Sequence, residues 1–384
     1  MEKNKKEEKR KSKKSLVVVM LSLVLLVGVF LLAVSALTDT DTGTDILPED
    51  ETVQMESEKK AGFPLSFSGQ IDAVALSENT VYVLTNNEIT LLSSNGSYIS
   101  DSILNFTDPM VKSSSAYAIA YDRKGSSYRL FDRKGLISEG ESESKRQIIT
   151  ATVADDGKYL IASRSQEAAS ELTYYTRSGE VIFRWLCTNE HIVSADVSPN
   201  GSNLICAALY SDDGKILTKV YYFDISNEGN NKEYTFNSAA AVDCFFTSSR
   251  NAVIVCTDKR IFVKCTRDSF EPLVNEYPSE ILKRATDEKG NTAVLTAKSD
   301  DVENLNLTLY SSTNQIVFEA DVPADINDIA CYGKKVYLLT DEKIIKISDF
   351  DDSEDIIMTE SSCSKLKANS NGLYYFTNTT IYCN

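Results

Sequence analysis

From residue 61 onward the apolar residues come in short runs, rich in Val, Ile, Tyr, Phe and Thr, separated by clusters of Gly, Asn, Asp and Ser. Runs of about four to eight such residues predict β-strands, and the polar clusters between them predict turns. No long stretch shows the 3.6-residue spacing of apolar positions that is typical of an amphipathic helix. The pattern therefore predicts an all-β fold for residues 61–384.

A repeated tetrapeptide indicates how close the turns lie. The letters DRKG occur at residues 122–125 and again at 132–135, ten residues apart. One strand plus one turn fills that interval, so residues 117–121, 128–131 and 136–138 are predicted to be successive strands. Gly125 and Gly135 are predicted to supply a positive φ, and each Asp to bond back to its turn backbone. The Arg and Lys side chains are predicted to be solvated at the turn tips.

A longer period overlies the short one. A unit of strand, polar turn and strand recurs eight times, with spacings of 36, 42, 44, 49, 40, 43 and 39 residues between the turns. The turns are placed at Asn79, Ser115, Gly157, Gly201, Arg250, Gly290, Gly333 and Gly372. A period of about 42 residues predicts a WD40-like β-propeller with one four-stranded sheet per blade. Eight blades are favoured, and seven are the alternative because the copies around Ser115 and Arg250 are indistinct.

The two ends of the repeat region predict how the ring closes. After Gly372 the sequence has room for only two more strands, so the last blade lacks its outer strand. Residues 63–68, FPLSFS, alternate apolar and polar positions and precede the first full repeat. Pairing this segment onto the last blade would close the ring and cover sheet edges that otherwise invite aggregation.

The N-terminal region predicts a membrane anchor. Residues 1–15 carry eight Lys and Arg against three Glu, and residues 16–37 form an uninterrupted apolar run without charge. A helix of that length spans about 33 Å, enough to cross the hydrocarbon core of a bilayer. The positive-inside rule puts residues 1–15 in the cytoplasm and the rest of the chain outside the cell membrane. A cleaved signal peptide ending at residues 34–36, VSA, is the alternative, which the length of the run disfavours.

Charge limits the partners of the remaining chain. Residues 38–60 contain eight Asp and Glu and no apolar periodicity, so they are predicted to form an extended acidic linker. After residue 15 the chain holds 32 Lys and Arg against 53 Asp and Glu, a net charge of −21. Because this surface repels phosphate backbones, no nucleic-acid partner is expected.

These features together carry a family resemblance. A basic tail, one apolar run, an acidic linker and a propeller that contains YDRKGSSYR at residues 121–129 resemble the bacterial family catalogued as domain of unknown function 5711. The resemblance implies a membrane-anchored ectodomain of a Gram-positive bacterium. It implies no activity and no site residues.

Candidate chemistry is sparse, and no catalytic residue, cofactor site or metal site is predicted. The chain has one histidine, His191, and lacks the GxSxG, P-loop, GxGxxG and HExxH motifs. His191 is predicted to lie at a blade edge. Eight cysteines follow the apolar run without a CxxC pair, which leaves disulfides and buried free thiols as alternatives.

One acidic segment fits a metal-binding template in part. Asp349, Asp351, Ser353, Asp355 and Glu360 occupy positions 1, 3, 5, 7 and 12 of a calcium-loop spacing, but Glu354 stands where the template needs Gly. A solvated blade loop is the preferred interpretation, and a calcium site the alternative.

The favoured function is a non-enzymatic recognition or scaffold module that binds a cell-envelope protein or polymer through its loops. The alternative is a carbohydrate-active hydrolase or lyase that uses carboxylates in the propeller funnel. A sensor that signals through residues 1–15 is a third possibility, for which the tail is short.

Overall fold

The computed structural model describes residues 62–226, 231–236, 240–256, 259–265, 270–276, 280–298, 304–348, 351–359 and 363–384, with backbone alone at 351–355 and 358. These residues form 32 strands in eight four-stranded antiparallel sheets. The prediction of an eight-bladed all-β propeller is confirmed, and seven blades is wrong. Across the same residues no helix is long and apolar enough to cross a membrane. The predicted span at 16–37 and the linker at 38–60 lie outside the described residues.

The first four blades follow an N-terminal strand, β1 (Leu65–Ser66). Blades 1 to 4 consist of β2 (Ile71–Leu76), β3 (Thr80–Thr85), β4 (Glu88–Ser93), β5 (Tyr98–Ile103); β6 (Pro109–Ser113), β7 (Ala118–Asp122), β8 (Ser127–Asp132), β9 (Gly135–Glu141); β10 (Ile148–Val153), β11 (Tyr159–Ser163), β12 (Ser170–Tyr175), β13 (Val181–Cys187); and β14 (His191–Val197), β15 (Asn203–Asp212), β16 (Lys215–Asp224), β17 (Lys232–Phe236).

The remaining blades repeat the same order of strands. Blades 5 to 8 consist of β18 (Ala241–Ser248), β19 (Asn251–Cys256), β20 (Lys259–Cys265), β21 (Phe270–Glu276); β22 (Ile281–Thr286), β23 (Thr292–Ala297), β24 (Asn304–Tyr310), β25 (Ile316–Pro323); β26 (Asp328–Tyr332), β27 (Lys335–Leu339), β28 (Lys343–Ser348), β29 (Asp351–Met358); and β30 (Lys365–Asn369), β31 (Gly372–Phe376), β32 (Thr380–Cys383).

The ring closes as the two chain ends predict. The last sheet has the order β1-β32-β31-β30, so β1 is the outer strand of blade 8, with Leu65 opposite Ile381 and Ser66 opposite Thr380. All eight predicted turn positions fall where the first strand of a blade passes to the second. These turns also bond to one another. Backbone N–H groups of Glu78 and Asp155 donate to the carbonyls of Ser115 and Pro199 at 3.1 and 2.9 Å.

Burial explains why the middle strands read most clearly in the sequence. Every residue of β3 and β12 is buried, since these strands pack against a neighbouring blade on both faces. Outer strands such as β5 and β9 alternate exposed and half-buried residues. The apolar clusters therefore lie between blades, and one of them joins residues of blades 8 and 1 across the closure.

The repeated DRKG segments form two successive turns of blade 2, as predicted. Asp122 accepts the Lys124 N–H at 3.0 Å, and Asp132 accepts that of Lys134 at 2.7 Å. Gly135 has the expected positive φ, of 144°. The same expectation was wrong for Gly125, which is instead needed for space, because a Cβ there would lie 2.5 Å from Asp122 Oδ2.

Candidate binding site in the central channel

The first strands of the blades surround a central channel. Neighbouring first strands pack together from β2 round to β18 and from β22 round to β30, and β30 of blade 8 contacts β2 of blade 1. Charged residues occupy many of these positions, although the blade faces farther out are largely apolar.

Hydrogen bonds link the charged groups of blades 2 to 5. Lys112 Nζ donates to Thr150 Oγ1 at 2.9 Å, and Thr152 Oγ1 donates to Asp196 Oδ1 at 2.7 Å. The other oxygen of Asp196 accepts the Phe246 N–H at 2.8 Å. Each bond crosses from one blade to the next, so Lys112 and Asp196 fasten the inner wall.

Asp243 continues this chain of contacts into blade 6. Its Oδ1 accepts Ser194 Oγ at 2.5 Å and the Cys244 N–H at 2.9 Å, and its Oδ2 pairs with Arg284. The Arg284 guanidinium also lies 5.4 Å from the ring centroid of Phe245. We call Lys112, Asp196, Asp243 and Arg284 the bonded arc.

The pKa values in the bonded arc reflect this pairing. Burial raises the pKa of Asp196, because attraction to Lys112 only partly offsets the loss of solvation. Burial opposes ionisation of Asp243 as well, but Arg284 and Lys112 outweigh it and lower the pKa of that carboxyl. Burial opposes the charge on Lys112, and attraction to Tyr121, Asp243 and Asp196 more than compensates, so its pKa is raised.

Three further lysines lie in the first strands of blades 6 and 8. Lys283 lies in β22 of blade 6, two residues before Ala285, which packs toward blade 7. Lys365 and Lys367 lie in β30 of blade 8. Asp328, in β26 between them, accepts the Leu366 N–H at 2.8 Å. We call Lys283, Lys365 and Lys367 the lysine arc.

The lysine arc differs from the bonded arc in having no ion pair within the described part of the chain. Lys365 and Lys367 are exposed, and Lys283 is half-buried. Desolvation lowers the pKa of Lys367; Asp328 opposes this, and the charges of Lys365 and Arg284 add to the lowering. Solvent reaches Lys367, yet protein surrounds it on the channel wall, so its charge is less well solvated than at an open surface.

The other end of the channel is acidic. The first turns of blades 1, 3 and 6 carry Glu78, Asp155 and Glu288. Burial raises the pKa of Glu288, and repulsion from Asp287, Glu78 and Asp155 adds to this effect. Glu78, Asp155 and Glu288 come from three different blades, and their charges act on one another because they lie near the ring centre. The channel therefore carries positive charge near the start of the first strands and negative charge at the turns.

The cysteines are all free and buried. Of the two alternatives left by the sequence, the structure has the buried thiols. Burial raises the pKa of Cys187 to about 12, and a hydrogen bond to Glu190 adds to the shift. A thiol with so high a pKa is a poor nucleophile at neutral pH.

The calcium template does not form a loop. Asp351, Ser353 and Asp355 belong to the outer strand β29, which pairs with β28, whereas 349, 350 and 360 lie outside the described residues. The predicted solvated loop is therefore wrong over this segment. An extended strand separates these residues along its length and cannot wrap them around one ion. The described side chains contain no group of three or more metal-binding residues.

The sequence interpretation missed the lysine arc. His191, which it did single out, is the exposed first residue of β14 at a blade edge. A signal for the channel was present: the first strand of several copies places a charged residue inside an apolar run, in VKSSS, VSADV, VDCFF, ILKRAT and KLKAN. Each charge alone is typical of a strand edge. Only closure of the ring brings them together.

The closed ring of four-stranded blades defines a β-propeller. Within this class, the model of the Family of unknown function (DUF5711) matches residues 54–373, so the chain belongs to that family. The resemblance seen in the sequence is thus confirmed.

Solved structures share the fold at low identity. The C-terminal WD40 domain of Sif2 is 10% identical, with a TM-score of 0.57 over 85% of this chain and 97% of that domain. Apo AztD from Citrobacter koseri is 13% identical, with a TM-score of 0.54 over 80% of this chain and 91% of AztD. BamB from Moraxella catarrhalis is 11% identical, with a TM-score of 0.51 over 84% of this chain and 100% of BamB. No curated protein matched the sequence.

Proposed function

We propose that the protein is a membrane-anchored, extracytoplasmic recognition or scaffold module for a cell-envelope protein or polymer. One observation carries this proposal. The best-placed channel carboxylates, Asp196 and Asp243, are held by bonds between blades, whereas the accessible lysines have no ion-pair partner in the described chain. Such an arrangement favours binding over acid–base chemistry. A closed propeller also gives a rigid frame on which exposed loops vary freely.

The anchor rests on the N-terminal sequence. Eight basic residues in 1–15 followed by the uncharged run at 16–37 support a single lipid-spanning helix with its N-terminus in the cytoplasm. The acidic linker at 38–60 would hold the propeller away from an anionic membrane surface. Protease added to intact protoplasts tests this topology. Cleavage within the propeller with protection of an N-terminal tag supports it, and full protection of both overturns it.

Capture of the partner tests the recognition function. The tagged full chain is cross-linked in intact cells and purified, and the co-purified proteins and glycans are identified by mass spectrometry. The matched control carries residues 1–60 fused to an unrelated folded domain. A partner enriched with the full chain and absent from the control supports the proposal. Identical recovery from both overturns it.

A second candidate is a carbohydrate-active hydrolase or lyase. Asp196 and Asp243 lie in adjacent first strands, and their pKa values are shifted in opposite directions, which is a pattern seen for acid and base pairs. Their hydrogen bonds to protein groups count against this role. Glycan turnover by the purified full chain that Asp196→Asn and Asp243→Asn abolish would establish the enzyme and overturn the recognition proposal.

A further inference from the structure

We propose that an exposed set of basic side chains on blades 2 and 3 binds an acidic segment of a protein partner. These side chains belong to three loops, which lie between β7 and β8, between β9 and β10, and between β11 and β12. We call Arg123, Lys124, Lys145, Arg146 and Arg164 the basic loop patch. This inference rests on the proposed recognition function, and it names one binding surface and the chemistry that the surface accepts.

Hydrogen bonds tie the three loops together. The side-chain amide of Gln147 donates to the Arg123 carbonyl at 2.9 Å, and the Gln147 carbonyl accepts the Arg164 N–H at 2.9 Å. The Ser142 N–H donates to the Ser126 carbonyl at 2.8 Å. These bonds join blade 2 to blade 3, so the backbone that carries the basic residues forms one continuous surface.

Buried side chains hold the loop between β9 and β10 in one conformation. Ser142 and Ser144 are buried, although both belong to a surface loop. The Ser142 hydroxyl donates to the Arg146 carbonyl at 2.6 Å, and the Ser144 hydroxyl donates to Glu171 at 2.8 Å. Glu171 is itself fully buried. Because the two serines are anchored inside the protein, Lys145 and Arg146 are held at its surface.

The backbone of Lys145 is strained. Its φ is 50°, in the left-handed region that residues other than glycine seldom adopt. The Lys145 N–H donates to the Ser142 carbonyl at 2.7 Å, which closes the turn. Such a conformation costs free energy and persists only where its surroundings enforce it, as they often do at functional sites. Here the result is that two adjacent cations, Lys145 and Arg146, are both exposed to solvent.

The protein neutralises part of the basic loop patch. Arg123 pairs with Asp108 at 2.9 Å, and Lys145 lies 3.6 Å from Glu141. The Lys145 side chain is 75% exposed and that of Glu141 is 49% exposed. Ion pairs so open to solvent contribute little to stability, so a partner can replace Glu141 at small cost.

Two arginines of the patch are open to a partner. Arg146 and Arg164 are exposed, and neither forms an ion pair with any residue that the structure describes. Each guanidinium group therefore keeps its planar fork of N–H donors, which pairs with a carboxylate through two parallel hydrogen bonds. An incoming Asp or Glu gains these bonds without first displacing a carboxylate of the protein.

Charge indicates which kind of anion fits the patch. The chain as a whole has a net charge of −16, whereas the three loops hold five basic residues against two acidic ones, Glu143 and Glu167. A long polyanion would be repelled by the rest of the surface and, within the patch, by these two exposed glutamates. A peptide with Asp or Glu at some positions and neutral residues at others fits this mixed pattern. Recognition of acidic motifs by clustered arginines is a common mode of peptide binding.

Carbodiimide cross-linking of the detergent-solubilised full chain tests the patch. The probe is a short synthetic peptide of alternating Glu and Ser, used at low ionic strength because salt screens the interaction. The reagent joins glutamates of the bound peptide to nearby lysines, and mass spectrometry locates each link. Links are expected at Lys124 and Lys145.

The double variant Arg146→Met, Arg164→Met removes the two open guanidinium groups and keeps their apolar stems. It is expected to lower the yield of links at Lys124 and Lys145 by at least about tenfold, and each single variant by about threefold. Links to the basic residues of 1–15 serve as the internal reference, because the variant leaves that segment unchanged. Arg250→Met, at an exposed turn of blade 5, is the matched control and leaves every yield unchanged.

A second measurement covers a double variant that fails to fold. The wild-type full chain is treated briefly with phenylglyoxal, which modifies arginines, and modification of each arginine is followed by mass spectrometry. The Glu–Ser peptide is expected to slow modification of Arg146 and Arg164 and to leave Arg250 unaffected. A peptide of alternating Lys and Ser is the control and should protect none of the three.

Three results would overturn the proposal. The first is a yield of links at Lys124 and Lys145 that the double variant leaves unchanged relative to 1–15. The second is modification of Arg146 and Arg164 that the Glu–Ser peptide does not slow. The third is stronger protection of these arginines by sodium tripolyphosphate than by the peptide, which would assign the patch to a phosphate ligand. The recognition function fails only if the full chain captures no partner beyond its control, so the two failures are distinguishable.

Discussion

The bonded arc and the lysine arc occupy the same layer of the propeller and use charge in opposite ways. In the bonded arc two cations, Lys112 and Arg284, face two anions, Asp196 and Asp243. The lysine arc has three cations, and the first strand of the blade between them carries one anion, Asp328. The difference shows that first-strand charges in one ring divide between groups bonded across the blades and groups without an ion pair among the described residues.

Packing between the blades explains where each use occurs. Among the described residues, the cluster between blades 5 and 6 contains three buried apolar side chains, whereas that between blades 3 and 4 contains fourteen. Arg284 lies at the sparse junction, paired with Asp243 and stacked on Phe245. The junctions beside the lysine arc have eleven and seven buried residues. Because apolar packing holds those blades together, their inner lysines are not needed for contacts between blades.

The largest expected effect comes from breaking the bonded arc. Asp243→Ala removes the acceptor of three hydrogen bonds, from Ser194, Cys244 and Arg284, and leaves Arg284 and Lys112 without their shared anion. Because both side chains of the ion pair are about a quarter to a third exposed, the expected loss is about 2 to 3 kcal/mol in the free energy of unfolding. Urea unfolding followed by circular dichroism measures it.

Lys367→Met is the matched control from the other arc. It removes a charge that makes no ion pair within the described residues and whose pKa is lowered chiefly by burial, so stability is expected to stay within about 0.5 kcal/mol of wild type. Equal losses in the two variants would show that both arcs are structural, and the comparison would fail.

A smaller effect is expected from Lys112→Met. The variant loses the hydrogen bond to Thr150 and the charge that faces Asp196 and Asp243, for about 1 to 2 kcal/mol. A double-mutant cycle with Asp196→Asn isolates the coupling, which should exceed about 0.5 kcal/mol. Additive losses would mean that Lys112 acts through its hydrogen bond alone. Lys134→Met, at the surface, should change nothing.

The fold could be predicted from the sequence because its turns and its middle strands each have a clear sequence pattern. Gly157, Gly201 and Gly290 mark turns with a positive φ, and buried strands such as β11 read as continuous apolar runs. The acidic first part of the outer strand β29 was missed for the opposite reason. An outer strand needs no continuous apolar run, so the acidic segment from Asp351 resembled a loop.

The site was less predictable for a physical reason. Lys283 and Lys367 are 84 positions apart in the sequence, and each follows an apolar residue in an ordinary strand run. Both belong to first strands, and the ring that sets those strands around one axis depends on closure by β1, which no local pattern encodes. The funnel carboxylates were anticipated as a class, but their partners Thr152, Ser194 and Arg284 come from neighbouring blades.

Alkaline pH should affect the two arcs with opposite sign. Lys112 has a raised pKa in the folded protein, so its stabilising charge is complete below the ordinary value of 10.5 and is lost as pH rises through the higher folded pKa. Lys367 has a lowered pKa, so the folded protein sheds that proton first and gains stability between the lowered pKa and 10.5.

The urea midpoints of wild type, Lys367→Met and Lys112→Met, measured from pH 8 to 11.5, check the sign of each change in stability. Wild type relative to Lys367→Met should become more stable up to pH 10.5, and wild type relative to Lys112→Met should lose its advantage above that value. Two differences that move in the same direction would contradict the assignment of these lysines to separate electrostatic settings.

The smallest expected effect is that of salt. Raising NaCl from 0.01 to 0.1 M shortens the Debye length from about 30 to about 10 Å. At Lys367 the same ions screen the attraction of Asp328 and the repulsion of Lys365 and Arg284, so the two changes offset one another. The stability of wild type relative to Lys367→Met should therefore stay nearly constant. The gap between wild type and Asp243→Ala should narrow slightly, since the ions weaken the attraction between Asp243 and Arg284. Equal narrowing of both gaps would mean that an attraction holds Lys367 as firmly as Arg284 holds Asp243.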